Sequence, residues 1–195
     1  MDWQEAAKRV EDQEPYLIDM LQKMIRIDTS IPPGENYPKF HDLVEPEFKK
    51  SGCETRRVIV PDDKERMAES GLSGPGENLV ASLKNGKPNL SVYAHIDVVP
   101  ADASWTRDPF GGEVEEGKLY GRGTVDDKGP IACVLGALKI MHEMGLEPKF
   151  DMDTLLCTDE ELGGHYIAGS DHLARNGYFS PNILWLDLGA IEPIF

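Results

Sequence analysis

Apolar runs that read as strands alternate with helical runs through the second half of this 195-residue chain, and that alternation calls for an α/β domain. The clearest helix there spans Lys128 to Met144, with Gly145 as its stop. Asp153 to Thr158 follows as a short strand. GSDHLARN, ending at Gly177, is a further helix, and Ile183 to Leu186 is a buried strand. Upstream, Leu17, Ile18, Leu21, Met24 and Ile25 fall on one helical stripe within residues 15–27. The run TSIPPGENYP then breaks the helix. A second helix is expected around His41 to Lys50, a strand at Thr55 to Val60, and an exposed charged loop over residues 62–77. Asn78 to Leu83 and Leu90 to Ala94 read as the two arms of a hairpin turning at Asn85-Gly86, and another hairpin turns at Glu116-Gly117. The expected architecture is a mixed, mostly parallel sheet flanked by helices.

Charge narrows the partners. With 20 basic and 35 acidic residues the net charge is −15, which argues against nucleic acid and against anionic membranes. A surplus of carboxylates is, in contrast, what a cation site uses. Cys53, Cys133 and Cys157 form no CxxC pair and read as buried small hydrophobes in a reducing compartment. The N-terminus has no basic segment followed by an apolar core, and the longest apolar stretch, around Ile131 to Leu138, is too short to span a bilayer. The expected location is the cytoplasm.

Four strand ends carry acidic or imidazole groups. SVYA runs into His95 and Asp97, KLYGRGTV into Asp126-Asp127, TLLCT into Asp159-Glu160-Glu161, and NILWL into Asp187. Ligands of open α/β sheets bind beyond the carboxyl ends of the strands. In extended chain His95 and Asp97 point the same way, so Asp97 can accept from one imidazole nitrogen while the other faces a metal. Asp127 is read equally well as a helix cap. Glu160 and Glu161 would point to opposite sides, free to do two jobs, although an isolated pair of glutamates is usually a solvated loop. A lone Asp187 is usually a turn residue. Four such ends in one small domain suggest a metal centre.

The blocks HIDVVP, W-xx-DPF, GGEVEEGKLYGRGTVDDKG and TDEELGG, in that order, closely resemble the di-zinc amidohydrolase superfamily of acetylornithine deacetylase, succinyl-diaminopimelate desuccinylase, aminoacylase, glutamate carboxypeptidase and Xaa-His dipeptidases. The likeness runs from about Leu90 to Asp187, and residues 15–60 fit the opening helix and strand loosely. It implies two zinc ions, with cobalt or manganese as substitutes. His95 and Asp187 would ligate one zinc, Asp126 would bridge both, and Glu161 would ligate the second. Asp97 would orient His95. Glu160 would be the general base in hydrolysis of an amide bond in a small peptide or N-acyl amino acid. A cis peptide between Asp126 and Asp127 is also implied. His41, His142, His165 and His172 lie outside the motifs and are expected at the surface.

The resemblance places residues 1–195 in the first part of the catalytic domain. A later histidine ligand of the second zinc is then missing, as is the lid domain through which such enzymes form homodimers. The apolar ending GAIEPIF reads as a cut. The segment alone is then expected to bind metal more weakly and to hydrolyse poorly or not at all, and the alternative reading is a metal-binding fragment without turnover. A magnesium phosphohydrolase is disfavoured by His95 and by the absence of a GxxxxGK[ST] loop.

Overall fold

The computed structural model describes residues 3–61, 64–162 and 169–187. Helices α1 (Trp3–Asp12), α2 (Glu14–Ile25) and α3 (Tyr37–Lys50) come first, followed by β1 (Glu54–Ile59), α4 (Lys64–Glu69), β2 (Glu77–Leu83) and β3 (Asn89–His95). Then come β4 (Glu113–Glu115), β5 (Lys118–Tyr120), α5 (Lys128–Glu143), β6 (Asp151–Cys157), α6 (Gly169–Arg175) and β7 (Ile183–Trp185).

Five strands form one sheet in the order β1-β2-β6-β3-β7, and β4 and β5 form a separate hairpin. β1 and β6 both run antiparallel to β2, whereas β3 runs parallel to β6 and β7. The sheet is therefore mixed, as expected, with its parallel pairings around β3. Its three parallel strands end on the same edge, and that edge carries His95, Thr158-Asp159 and Asp187.

Each face of the sheet is packed differently. Met24, Phe40, Val44, Phe48, Ile131 and Leu135 from α2, α3 and α5 pack with Ala94 and Leu156 on one side. Val58, Val80, Tyr93, Leu155 and Cys157 pack with Leu173 of α6 on the other. Leu155 and Leu156 thus point to opposite faces, as strand alternation requires. Fully buried side chains such as Phe40 and Leu135 each contribute roughly 1.5–3 kcal/mol through removal from water.

The hairpin at Glu116-Gly117 is present, with both residues at positive φ (50° and 75°), the arrangement that two-residue hairpin turns demand. α5 ends beside Gly145, whose φ of 62° stops the helix. The Asn85-Gly86 hairpin is not formed, because β6 lies between β2 and β3. β6 is buried from Asp153 to Cys157 and takes a partner on each side. The Asp151 carboxylate accepts the backbone N–H groups of Asn85 and Lys87, both at 2.9 Å, and so shapes a wider loop.

Other expectations change as well. α3 begins four residues earlier than expected, and α4 interrupts the loop of residues 62–77. β7 is exposed, not buried: Ile183, Leu184 and Trp185 are 47–50% accessible. Its one strand neighbour among the described residues is β3, although Trp185 stacks on Tyr93 at 3.7 Å. Cys53 and Cys157 are buried, but Cys133 is exposed, since α5 is apolar over more of its circumference than it buries. His41 is fully buried, with Nδ1 2.8 Å from Glu77 Oε1, because α3 turns it onto the sheet beside Tyr37, Phe40 and Val44. His142 is exposed and His172 half-buried. His165 and residues 189–195 lie outside the described residues. Among those described, no helix is long and apolar enough to cross a membrane.

Candidate metal centre

His95 closes β3 in register with Cys157 of β6 and is fully buried. Its Nδ1 lies 3.0 Å from the Asp97 carbonyl oxygen, and a carbonyl only accepts, so this nitrogen carries a proton. The Asp97 carboxylate is farther, at 3.5 Å, and its other oxygen accepts the Glu161 N–H at 2.9 Å. Asp97 thus reaches both the imidazole and the backbone of the glutamate pair. The Asp97 carbonyl oxygen thus lies nearer the imidazole than the carboxylate that was expected to orient it. The second imidazole nitrogen, Nε2, is 2.7 Å from Asp126 Oδ1 and 4.0 Å from Glu160 Oε2.

Asp126 and Asp127 are carried by the turn after the β4–β5 hairpin, and the peptide between them is cis. Gly123, at φ 87°, lets this turn pass Val98, whose Cγ1 would lie 2.8 Å from an added Cβ. Asp127 occupies the N-cap position of α5 but makes no capping bond. Its carboxylate instead accepts the His95 backbone N–H at 3.0 Å. Lys128, which nothing in the sequence singled out, is fully buried. Its Nζ donates to the carbonyls of Met24 (3.2 Å) and Ile27 (2.8 Å), joining the end of α2 to the start of α5. Burial lowers this lysine to about 7.

Glu160 and Glu161 both come within ligand reach of His95, each in a different group of ligand atoms. Asp159 has φ 68°, so the chain leaves the extended conformation just before them. Two groups of side chains offer ligand atoms within 4.8 Å of one another: His95, Glu160 and Asp187, and His95, Asp126 and Glu161. The structure therefore brings together all of His95, Asp97, Asp126, Glu160, Glu161 and Asp187.

The electrostatics of this cluster are those of an acidic site short of positive charge. Burial and neighbouring carboxylates, Asp126 foremost, raise Glu161 to about 7. Burial raises Asp127 to about 7 as well, and it raises Glu160. His95 is lowered by burial, but its hydrogen bonds to Asp126 and Asp97 prevail and hold it up at about 11. The hydrogen bond from His95 lowers Asp126 in turn. One oxygen each of Asp97 and Asp127 is buried with no hydrogen-bond partner among the described residues. Imidazole nitrogen and carboxylate oxygen are donors that zinc accepts, and a cation would supply the charge that these oxygens lack, so the residues fit a metal ion.

Residues 91–191, just over half of the chain, match the profile of Peptidase family M20/M25/M40, and the chain belongs to that family. It is 47% identical over 77 residues to a β-Ala-Xaa dipeptidase of Lactobacillus delbrueckii subsp. lactis, covering 39% of this chain and 16% of that protein. It is 38% identical over 122 residues to a succinyl-diaminopimelate desuccinylase of Bradyrhizobium sp. (strain ORS 278), covering 61% of this chain and 30% of the relative. Among solved structures, the di-peptidase Dug1p of Saccharomyces cerevisiae superposes with a TM-score of 0.70 at 20% identity, over 88% of this chain and 37% of that one. The fold is thus shared, and the chain spans about a third or less of the length of the curated relatives it matches.

Proposed function

We propose that these residues form the first part of a catalytic domain that hydrolyses an amide bond in a dipeptide or N-acyl amino acid with the help of zinc. The observation that carries this reading is the pair of overlapping ligand groups sharing His95. In this reading His95 and Asp187 would hold one ion, Glu161 would hold the other, and Asp126, with two carboxylate oxygens, would serve both; Glu160, which shares the first group, is given the proton-handling role. The two groups share a single imidazole, so full coordination of two ions draws further ligands from water or from protein beyond these residues. Zinc, when bound, polarises the scissile carbonyl and lowers the pKa of water from about 15.7 toward about 7.

Glu160 works on protons. Its Oε2 lies 4.0 Å from His95 Nε2, so it faces the same space as that imidazole. Burial holds its carboxyl above the ordinary range, which suits a group that takes a proton from attacking water and returns it to the leaving nitrogen. Asp97 positions His95 and braces Glu161 through its main chain. Family membership and relatives named for dipeptide and succinyl-amide substrates support this chemistry.

The test is elemental analysis of the purified chain with His95→Ala and Glu160→Gln, alongside hydrolysis of a β-alanyl dipeptide and an N-succinyl diamino acid. The chain should bind zinc and His95→Ala should not. Glu160→Gln should keep zinc, and in the longer protein it should lower turnover by about 10²–10⁴-fold. Loss of zinc from Glu160→Gln would exchange the roles of the two glutamates. No zinc in the unmodified chain would sink the proposal.

A further inference from the structure

Among the described residues, three that are not glycine have positive φ: Asn36, Glu116 and Asp159. Asn36 precedes α3 and Glu116 makes the β4–β5 turn, so both sit where a chain reversal requires them. Asp159 is 2% exposed and stands between the end of β6 and Glu160. Left-handed backbone is disfavoured for any residue with a Cβ, least so for Asn and Asp, and strongly so for β-branched residues.

What this conformation achieves is visible in the next two residues. Continued as a strand, β6 would send Glu160 and Glu161 to opposite faces. After the turn at Asp159 both come within ligand reach of His95, and the Glu161 N–H reaches Asp97 Oδ2 at 2.9 Å. The turn is held from three sides. Tyr37 of α3 donates its hydroxyl to Asp159 Oδ1 at 3.3 Å. Gly76 leaves space: a Cβ there would lie 2.5 Å from Thr158 Oγ1 and 2.6 Å from Asp159 Oδ2. Asn78 accepts the Thr158 N–H at 3.0 Å and donates to the Gly169 carbonyl at 3.0 Å, tying the base of the turn to the start of α6.

We infer that Asp159 is a positioning residue, whose left-handed backbone, locked from α3 by the Tyr37 hydroxyl, aims Glu160 and Glu161 together at His95. The inference rests on the reading that these glutamates serve the metal centre. Asp159→Asn keeps both the tolerance for positive φ and an acceptor for Tyr37. Asp159→Ala loses both, and Asp159→Val adds the β-branched penalty.

The experiment measures hydrogen exchange of the Glu161 amide in the metal-free full chain, and zinc affinity by equilibrium dialysis. Asp159→Asn should stay close to the unmodified chain in both. Asp159→Ala should lower protection of the Glu161 amide and zinc affinity by about tenfold, and Asp159→Val by more, while amides within β6 keep theirs. Should Asp159→Val fail to fold, Asp159→Ala and Tyr37→Phe decide the matter, the latter by loosening the Glu161 amide without a backbone penalty. Equal protection and affinity in Asp159→Ala and Asp159→Asn would overturn the inference. An unmodified chain that binds no zinc, but whose Glu161 amide still follows residue 159, would overturn the metal reading and leave the positioning role standing.

Discussion

Two clusters of carboxylates lie in this domain under opposite electrostatic conditions. At the β1–α3 edge, Asp42, Glu45 and Glu77 surround Arg57, at 2.6, 2.8 and 3.5 Å from its terminal nitrogens. Lys49 also reaches Glu45, at 2.8 Å. That hydrogen bond, with others from Thr55 and Arg57, holds Glu45 down at about 2. Beyond the ends of β3 and β6, the carboxylates of Asp126, Asp127, Glu160 and Glu161 gather about one imidazole, and burial with mutual repulsion pushes Asp127 and Glu161 up to about 7. The first cluster carries its own cations and is finished as a structure. The second is assembled by the fold against its own repulsion, around the single imidazole of His95.

Zinc should therefore act most on the second cluster. At a hundredfold excess over its dissociation constant it should stabilise the fold by about 2.7 kcal/mol, read as a rise in the thermal midpoint by circular dichroism. His95→Ala should abolish the rise, and a rise that survives that change would place the ion elsewhere. A smaller effect is expected where the cations are built in. Arg57→Met should cost about 1–2 kcal/mol in urea unfolding, since it strands acceptors that are only partly open to water. A neutral result would mean that the edge network is as weak as an exposed ion pair.

The smallest effect is in acid. Glu45 is lower in the folded chain than its ordinary 4.5, so its contribution is complete above about pH 4.5 and fades as pH falls toward about 2. The stability gap between the unmodified chain and Glu45→Gln should narrow across that window. A gap independent of pH would remove the ionised Glu45 from the account.

The candidate site was more legible than the sheet that carries it. His95, Asp97, Asp126 and the Glu160-Glu161 pair lie in short blocks whose order is itself informative, and strand ends deliver such residues to one edge whatever the order of the strands. The Glu116-Gly117 turn was legible for a related reason: a two-residue reversal is decided by the residues in it. Asn85-Gly86 carries the same kind of local signal, but Asp151, 65 positions beyond Gly86, reshapes that loop and β6 separates its flanking strands. His41 was misplaced although it shares an i, i+3, i+7 stripe with Val44 and Phe48, because the Glu77 carboxylate that pairs with it when buried lies 36 positions away. Lys128 reads as an ordinary solvated lysine until α2 is folded against it. That both Glu160 and Glu161 reach His95 follows a left-handed backbone at Asp159, to which strand alternation is blind.

The place of β6 has a consequence for the order of assembly. The sheet's second, third and fourth strands are β2, β6 and β3, so its middle is filled by a segment made more than fifty residues after the strands on either side of it. During synthesis, β2 and β3 emerge joined by a turn suited to pairing them with each other. A nascent chain that accepts that pairing must break it before residues 151–157 can enter, and one that waits holds two apolar edges open in the meantime. Both edges that must stay free end beside the carboxylate cluster, so the ligand groups around His95 can form only after the sheet's last central strand has arrived.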